Sequence, residues 1–382
     1  MTVRARRRLV TLGLILAASA AHATPSRVAS LLGNPLFEDD TDADRYPSVT
    51  GRYGRSVFLH LTGAGTTTQA GLYYGGDRWL VGATYGTPQS YDDLSSISAE
   101  LSRALLRPTR LVNLQLVRRL DEDSAVGFSL NPAFGYTRSF PVGGVITNSL
   151  SLELEAIASY SASGKDLSSD VALAVSYHRF QQRSDGVTQA ETGQIPSAAL
   201  RDRTILRGVF GPTGDLGFYG ELARRDESFT QLEPFTSRAA LARYVFLAGV
   251  GPRLHPVEWV TLAGSLELNY ELLTGAVDDD GLSFSRTTFP ALQLGAEVSP
   301  LSWLVLRAAV SRRFSFIAER PSTGGLFDVS SDTFAWATGL GVRWERLEVD
   351  GTLSTALLLG GPSFIGGGAP GLFGSLSVRY PF

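Results

Sequence analysis

The chain has 382 residues and no cysteine, which excludes both a disulfide framework and a thiolate metal site. The same absence removes the residue through which a lipid-anchored lipoprotein would be modified. Lysine is almost missing: Lys165 stands alone, and the basic side is otherwise arginine, a pattern of genomic composition rather than a binding device. Long apolar runs are missing too. No stretch approaches the ~18 residues that a membrane helix requires, so a chain like this enters a membrane only as a barrel of strands. Basic residues do not exceed acidic ones (34 against 37), which argues against nucleic acid as a partner.

What is present begins with a leader. Arg4, Arg6, Arg7 and Arg8 precede a short apolar run from Leu9 to Ala20, and Ala21-His22-Ala23 has the small-x-small form of a cleavage site. Residues 1–23 therefore read as a signal peptide. Its removal takes four arginines and shifts the formal charge from 34 − 37 = −3 to 30 − 37 = −7. Residues 24–54 lack strand alternation and are dense in acids, which suits a periplasmic or plug segment. Asp40, Asp42 and Asp44 have the opening spacing of a calcium loop, but Arg45 stands where its glycine is needed and Gly51 where its glutamate is needed. No metal or other cofactor is implied.

From Ser56 to the end the pattern alternates with a period of two, the signature of strands with unlike faces. Candidate strands lie near 55–62, 68–75, 78–86, 110–120, 124–138, 148–162, 168–180 and 202–211. Others lie near 215–225, 241–254, 257–273, 288–299, 302–316, 333–345, 347–359 and 371–382. The total is about 16, or about 14 if the two shortest before Gly76 are not separate, and barrels of this kind are even-numbered. Short connections such as Asp121-Glu122-Asp123, His255-Pro256 and Ser299-Pro300 alternate with long ones near 87–109, 139–147, 181–201, 226–240, 274–287, 317–332 and 360–370. That rhythm predicts an all-β, antiparallel up-and-down transmembrane barrel over residues 55–382, with short periplasmic turns and long outer loops. Within 87–109 the spacing of Leu94, Ile97, Leu101, Ala104 and Leu105 predicts a short helix, either narrowing the mouth or capping the rim.

The strand parity separates two sets of side chains. Leu152, Leu154, Ala156 and Ala158 oppose Glu153 and Glu155; Leu262, Leu266, Leu268 and Tyr270 oppose Glu267, Asn269 and Glu271. A basic residue at mid-membrane on the lipid side costs ~2–4 kcal/mol, and the apolar parity of these strands carries none. The polar parity should therefore line a lumen: Glu153, Glu155, Glu221, Glu267, Asn269, Glu271, Arg307, Arg343 and Arg379. Acids gather on the middle strands and arginines on the last ones, so these charges either set up a transverse field or neutralise one another. Trp259 and Trp303, each following a Pro-containing turn, fall on the inward parity although tryptophan favours the membrane boundary.

The final stretch, Leu372 to Phe382, places Leu376, Val378, Tyr380 and Phe382 on one face and Ser375, Ser377 and Arg379 on the other. It resembles the closing strand of bacterial outer-membrane β-barrels, in which a terminal Phe follows alternating apolar residues. The resemblance implies residence in the cell outer membrane, outer-membrane lipid as a partner, and handling by the barrel-assembly machinery through the Phe382 strand. The stretch from Asp39 to Ser48 resembles, in part, the pre-barrel segment of the long-chain fatty-acid transporter family, which has an Asp-Asp pair before Asn-Pro-Ala. Here Tyr46-Pro47-Ser48 takes that place and Asn34-Pro35 lies upstream.

Enzymatic parts are scarce. Beyond the leader the histidines are His60, His178 and His255, and no Gly-x-Ser-x-Gly accompanies them. His178 is expected to face inward without a serine in nucleophile–base relation to it. The chain reads as a passive channel or transporter for small or amphipathic solutes rather than an enzyme, with a plugged structural or surface-interaction barrel as the alternative.

Overall fold

The computed structural model describes residues 25–38, 40–62, 68–86, 109–110, 112–139, 147–184, 187–231, 237–277, 280–320, 327–353 and 373–382. Sixteen strands form one sheet that closes on itself. They are β1 (Ser56–Thr62), β2 (Thr68–Gly75), β3 (Trp79–Tyr85) and β4, which combines Thr109–Arg110 with Val112–Arg119. Next come β5 (Ser124–Ser139), β6 (Thr147–Ser163), β7 (Leu167–Ser184), β8 (Val187–Leu206), β9 (Gly214–Gln231) and β10 (Ser237–Val257). The ring is completed by β11 (Val260–Val277), β12 (Asp280–Leu301), β13 (Leu304–Arg320), β14 (Phe327–Trp344), β15 (Leu347–Leu353) and β16 (Phe373–Pro381). Every strand pairs antiparallel with its sequence neighbours, and β16 returns to β1 in a register running from Ser56↔Pro381 to Thr62↔Ser375. The pairing of β16 with β1 closes the ring; above the described part of β15, β14 pairs with β13 alone.

The two faces differ as the period-two pattern requires. On β4, Asn113, Gln115 and Val117 are buried whereas Leu114 and Leu116 are exposed. The outward set across the barrel is Leu, Val, Phe and Tyr, the composition of a surface solvated by hydrocarbon. Aromatic residues gather at its margins. Tyr74, Trp79, Phe210, Trp344 and Phe382 face outward at the short-turn end, and Tyr136, Tyr177, Phe316 and Phe334 face outward toward the other. Trp259 and Trp303 belong to the first of these girdles: each sits in its turn and points out, escaping the inward parity of the strand that follows.

Three sequence expectations are corrected. The turns expected at His255-Pro256 and Ser299-Pro300 fall at Glu258–Trp259 and Ser302–Trp303. Proline has no N–H to give the ladder, and the ladder does not stop there; it slips register between Leu254 and Val257 and between Val298 and Leu301, then closes as Val257↔Val260 and Leu301↔Leu304. The strand expected at 202–211 is instead β8, Val187–Leu206, so much of the expected 181–201 loop is strand. Much of the loops expected at 226–240, 274–287 and 317–332 is likewise wall. These upper segments stand beyond the apolar band and need no hydrophobic alternation, which is why they read as loops. The helix expected within 91–106 and the 360–370 loop lie outside the described residues.

Before β1 the chain forms α1 (Pro25–Ser30), 3-10 turns at Asp40–Asp44 and Pro47–Val49, and α2 (Thr50–Tyr53). This inner segment lies within the ring. Leu31, Leu36 and Phe37 pack with Tyr219 and Ala263, and Tyr46 and Val49 pack with Ile157, Ala172, Ala174 and Ala199. Burying each of these larger side chains contributes ~1.5–3 kcal/mol. Small wall residues make the space. A Cβ on Gly127 would meet the Ser48 nitrogen at 2.2 Å, and one on Gly339 would meet the Ser30 Cβ at 2.4 Å.

Candidate functional site

The nine residues expected to line a lumen all occupy the inward parity, between outward-facing apolar neighbours. The structure does not bring them into one cluster; it distributes them in local pairs. Glu155 accepts a 2.9 Å hydrogen bond from the Asn131 amide. Glu153 stands opposite His178 in the ladder. Glu267 accepts from the Tyr219 hydroxyl at 3.2 Å, and Asn269 lies on the same face of β11. Glu271 pairs with Arg243 at 2.6 Å. Arg307 reaches Glu297 at 2.7 Å and also Asp350. Arg343 lies 3.7 Å from Glu348, which is also opposite Arg379 in register. Arg379 is fully buried and donates to the Ser56 hydroxyl. Arginines also occur inward on β8, β9 and β10 as Arg201, Arg203, Arg225, Arg243 and Arg253, so the expected segregation of acids from bases gives way to neutralisation in place.

The inner segment uses these wall charges. Arg27 of α1 donates to Glu297 at 2.7 Å, so that carboxylate lies between Arg27 and Arg307. Arg203 joins Asp42 of the inner segment to Asp170 of β7 while stacking over the Tyr46 ring. Arg52 donates to Asp170 at 2.7 Å, and Glu38 accepts from Arg253 at 2.9 Å and from Arg52 at 3.3 Å. Glu221 takes Arg45 at 3.0 Å. Hydroxyl contacts complete the ring: Ser26 with Ser375 and Ser377 of β16 and His60 of β1, Ser48 with Ser159 and Ser161, Thr50 with Gln115. Wall partners thus come from strands all round the barrel, most of them on the half of the strand nearest its short turn.

Electrostatics fix the protonation of this segment. Burial by itself raises the Glu38 carboxyl; Arg253, Arg203 and Arg52 overcome that and hold it down at about 2. Burial pushes the Tyr46 phenol up to about 12, against the pull of Arg45 and Arg203. Removing one partner of such a buried pair strands the other and costs ~3–5 kcal/mol, more than the pair itself contributes. On the short-turn side of the inner segment lies a recess of about 970 Å³, lined by Ser48, Gly51, Arg52, Arg119 and Asp121.

Two features escaped the sequence reading. The Arg203–Asp42–Asp170 junction has no sequence signature; the inner segment is met by inward glycines, Gly127 by the backbone at Pro47–Ser48 and Gly217, Gly295 and Gly339 by the side chains of Leu36, Phe37 and Ser30. The serine thought missing beside His178 is Ser151, whose hydroxyl lies 2.7 Å from the Nε2. They sit on adjacent strands, a relationship visible only once register is known. Ser151 is fully buried in the ladders of β5, β6 and β7, and the ladder from β7 to β8 slips register between Ser176 and Arg179, beside His178.

No protein-family model and no curated protein matches the sequence, so the partial resemblance at Asp39–Ser48 finds no support at the level of a family. Among solved structures the chain is similar to the Pseudomonas putida toluene transporter TodX, at 11% identity over 90% of this chain and 94% of that one, with a TM-score of 0.41. It is similar to the alcaligin outer-membrane receptor FauA of Bordetella pertussis at 7% identity, over 86% of this chain and 75% of that one, with a TM-score of 0.41. CdiB from Escherichia coli gives 10% identity and a TM-score of 0.43, with 86% of this chain matched and 63% of that one. Likenesses this distant carry no functional argument.

Proposed function

We propose that the chain is an outer-membrane channel or transporter whose lumen is stopped at the periplasmic end by residues 25–54. Passive passage of small or amphipathic solutes then requires this plug to shift. The observation that carries the reading is the way the inner segment is attached. Arg27, Glu38, Asp42, Arg45 and Arg52 each hold the wall through separate ion pairs, and the apolar packing between segment and wall is split into two patches rather than one continuous core. The outward apolar face and its aromatic margins support residence in the outer membrane, with lipid as the surrounding partner.

A plugged barrel whose outer surface does the work is the second reading, and the height of β8 to β14 above the apolar band favours it. Liposome swelling in neutral sugars of rising size separates the two. The channel reading expects slow uptake with the mature chain and fast, size-limited uptake once 25–54 is deleted. A folded, deleted barrel that admits no sugar would leave the surface reading standing.

A further inference from the structure

On β8 the outward parity carries a carboxylate. Asp202 is exposed on the lipid-facing side, between Arg201 and Arg203, which both turn inward to acidic partners. Across the ladders it is level with Val171 of β7 and Gly220 of β9, and beyond Gly220 comes Ala248 of β10. The next outward rows hold Leu200 and Leu222 above, Thr204 and Phe218 below. Leu206 and Gly214 mark where β8 and β9 meet their short turn. Measured from them at ~3.3 Å per residue and ~40° of tilt, the row of Asp202 stands roughly 10–15 Å up, inside an apolar band ~25 Å tall. The outward arginine above it, Arg224, is turned to Asp226 at 3.1 Å and to the Tyr244 ring.

An ionisable side chain held against hydrocarbon is costly, and as a rule it marks a contact. Lipid tails have no donor to offer, and headgroups lie above and below this level. Another protein surface in the membrane plane can supply one. Gly220 shows where the carboxylate rests: a Cβ there would meet the Asp202 Oδ1 at 2.9 Å, so Asp202 leans over β9 into the space a side chain would fill.

We infer that this face docks against the same face of a second copy of the chain. A two-fold contact requires a patch that complements itself, and this one carries donors beside its acceptor. Tyr160 of β6 is exposed in the same row, on the far side of Val171 from Asp202. Two strand spacings, ~10 Å, separate the backbones of Tyr160 and Asp202. One row down, the Ser169 and Thr204 hydroxyls lie 3.4 Å apart, and two hydroxyls that bond each other still have one O–H to give. A two-fold axis along the membrane normal at Val171 sets each Asp202 toward the other copy's Tyr160 and holds the two carboxylates apart. Gly220 and Ala248 let the two walls come close. The inference is independent of conduction and uses only the assignment of the outward face.

The test is crosslinking of the mature barrel folded into liposomes, where no other protein is present. Because the chain has no cysteine, Val171→Cys supplies a single thiol near the axis, and Leu59→Cys on β1, outward on the other side of the ring, is the collision control. Oxidation should give a dimer band with Val171→Cys and only background with Leu59→Cys. Adding Asp202→Leu to Val171→Cys should lower the dimer fraction about fivefold or more, and Tyr160→Phe should lower it in the same direction. Heat-shifted gel migration confirms that each variant is a folded barrel. A crosslink at 171 no stronger than at 59, or one undiminished by Asp202→Leu, overturns the inference. A barrel that stays single in liposomes and crosslinks only to a foreign protein in cell envelopes overturns it too.

Discussion

Arg27 and Glu297 are 270 positions apart in the chain and 2.7 Å apart in the structure, one on the inner segment and one on the wall. Arg307 shares the same carboxylate from the neighbouring strand and is itself tied to Asp350. The inner segment is therefore part of the charge balance of the wall. Replacing Glu297 with Gln removes the anion from between two buried cations, at a cost of ~3–5 kcal/mol. Arg307 keeps Asp350, and Arg27 keeps the Glu38 carbonyl. Limited proteolysis of Glu297→Gln should cut within 25–38 at an enzyme concentration that leaves the parent chain intact, while the barrel band on a gel is unchanged.

Gly127 faces the same segment with no side chain at all. A Cβ there would lie 2.2 Å from the Ser48 nitrogen and 2.5 Å from the Pro47 carbonyl carbon, and backbone atoms cannot swing aside as a flexible side chain would. Gly127→Val should expel residues 47–48 from their seat. Since the chain has no cysteine, the pair Ser48→Cys and Ser161→Cys, whose hydroxyls now lie 2.7 Å apart, gives a single unambiguous disulfide to read this. The crosslink should form readily in the parent background and fail when Gly127→Val is added.

Docking should depend on pH with a defined sign. Glu38 is held at about 2, below its ordinary value of ~4.3, so its contribution is complete above ~4.3 and is lost as pH falls through about 2. Protease resistance of the inner segment should be flat through neutral pH and decline only on acidification below about pH 4. Arg253→Gln removes the nearest guanidinium, raises the folded-state value of Glu38 and should shrink the part of the resistance that acid removes.

The outward face makes a separate prediction. Leu173 is exposed between Val171 and Val175 on β7, within the apolar band. Leu173→Arg should destabilise the barrel by ~2–4 kcal/mol in lipid, read by urea unfolding in liposomes. Ala172→Ser, pointing the other way, should change far less. Equal effects at the two positions would contradict the assignment of faces.

How much of this was legible in the sequence follows from which forces leave a periodic trace. Wherever one face meets hydrocarbon, as at Leu152-Glu153-Leu154-Glu155, alternation is enforced and the strand could be read directly. Above the band that force is absent, and the stretch Val187-Thr188-Gln189-Ala190-Glu191-Thr192-Gly193, which pairs with β7 and β9, looked like loop. Parity also placed the nine inward residues on one face but was silent about their partners. Ser151 with His178, Arg203 with Asp42 and Asp170, and the Arg225–Arg243 opposition depend on register between strands, and register is set by turns and bulges rather than by composition. The inner segment has neither period, so its seat on the wall left no pattern to read.

The account rests on the inner segment acting as the stopper of the barrel, and single-channel recording in planar bilayers tests that most directly. Three barrels are compared: the mature chain, the chain without 25–54, and the Ser48→Cys/Ser161→Cys barrel before and after reductant. The deleted barrel should conduct steadily and the mature chain only in rare openings. The oxidised pair should stay silent, with openings returning after reduction. An oxidised, fully crosslinked barrel that conducts as freely as the deleted one would contradict the account.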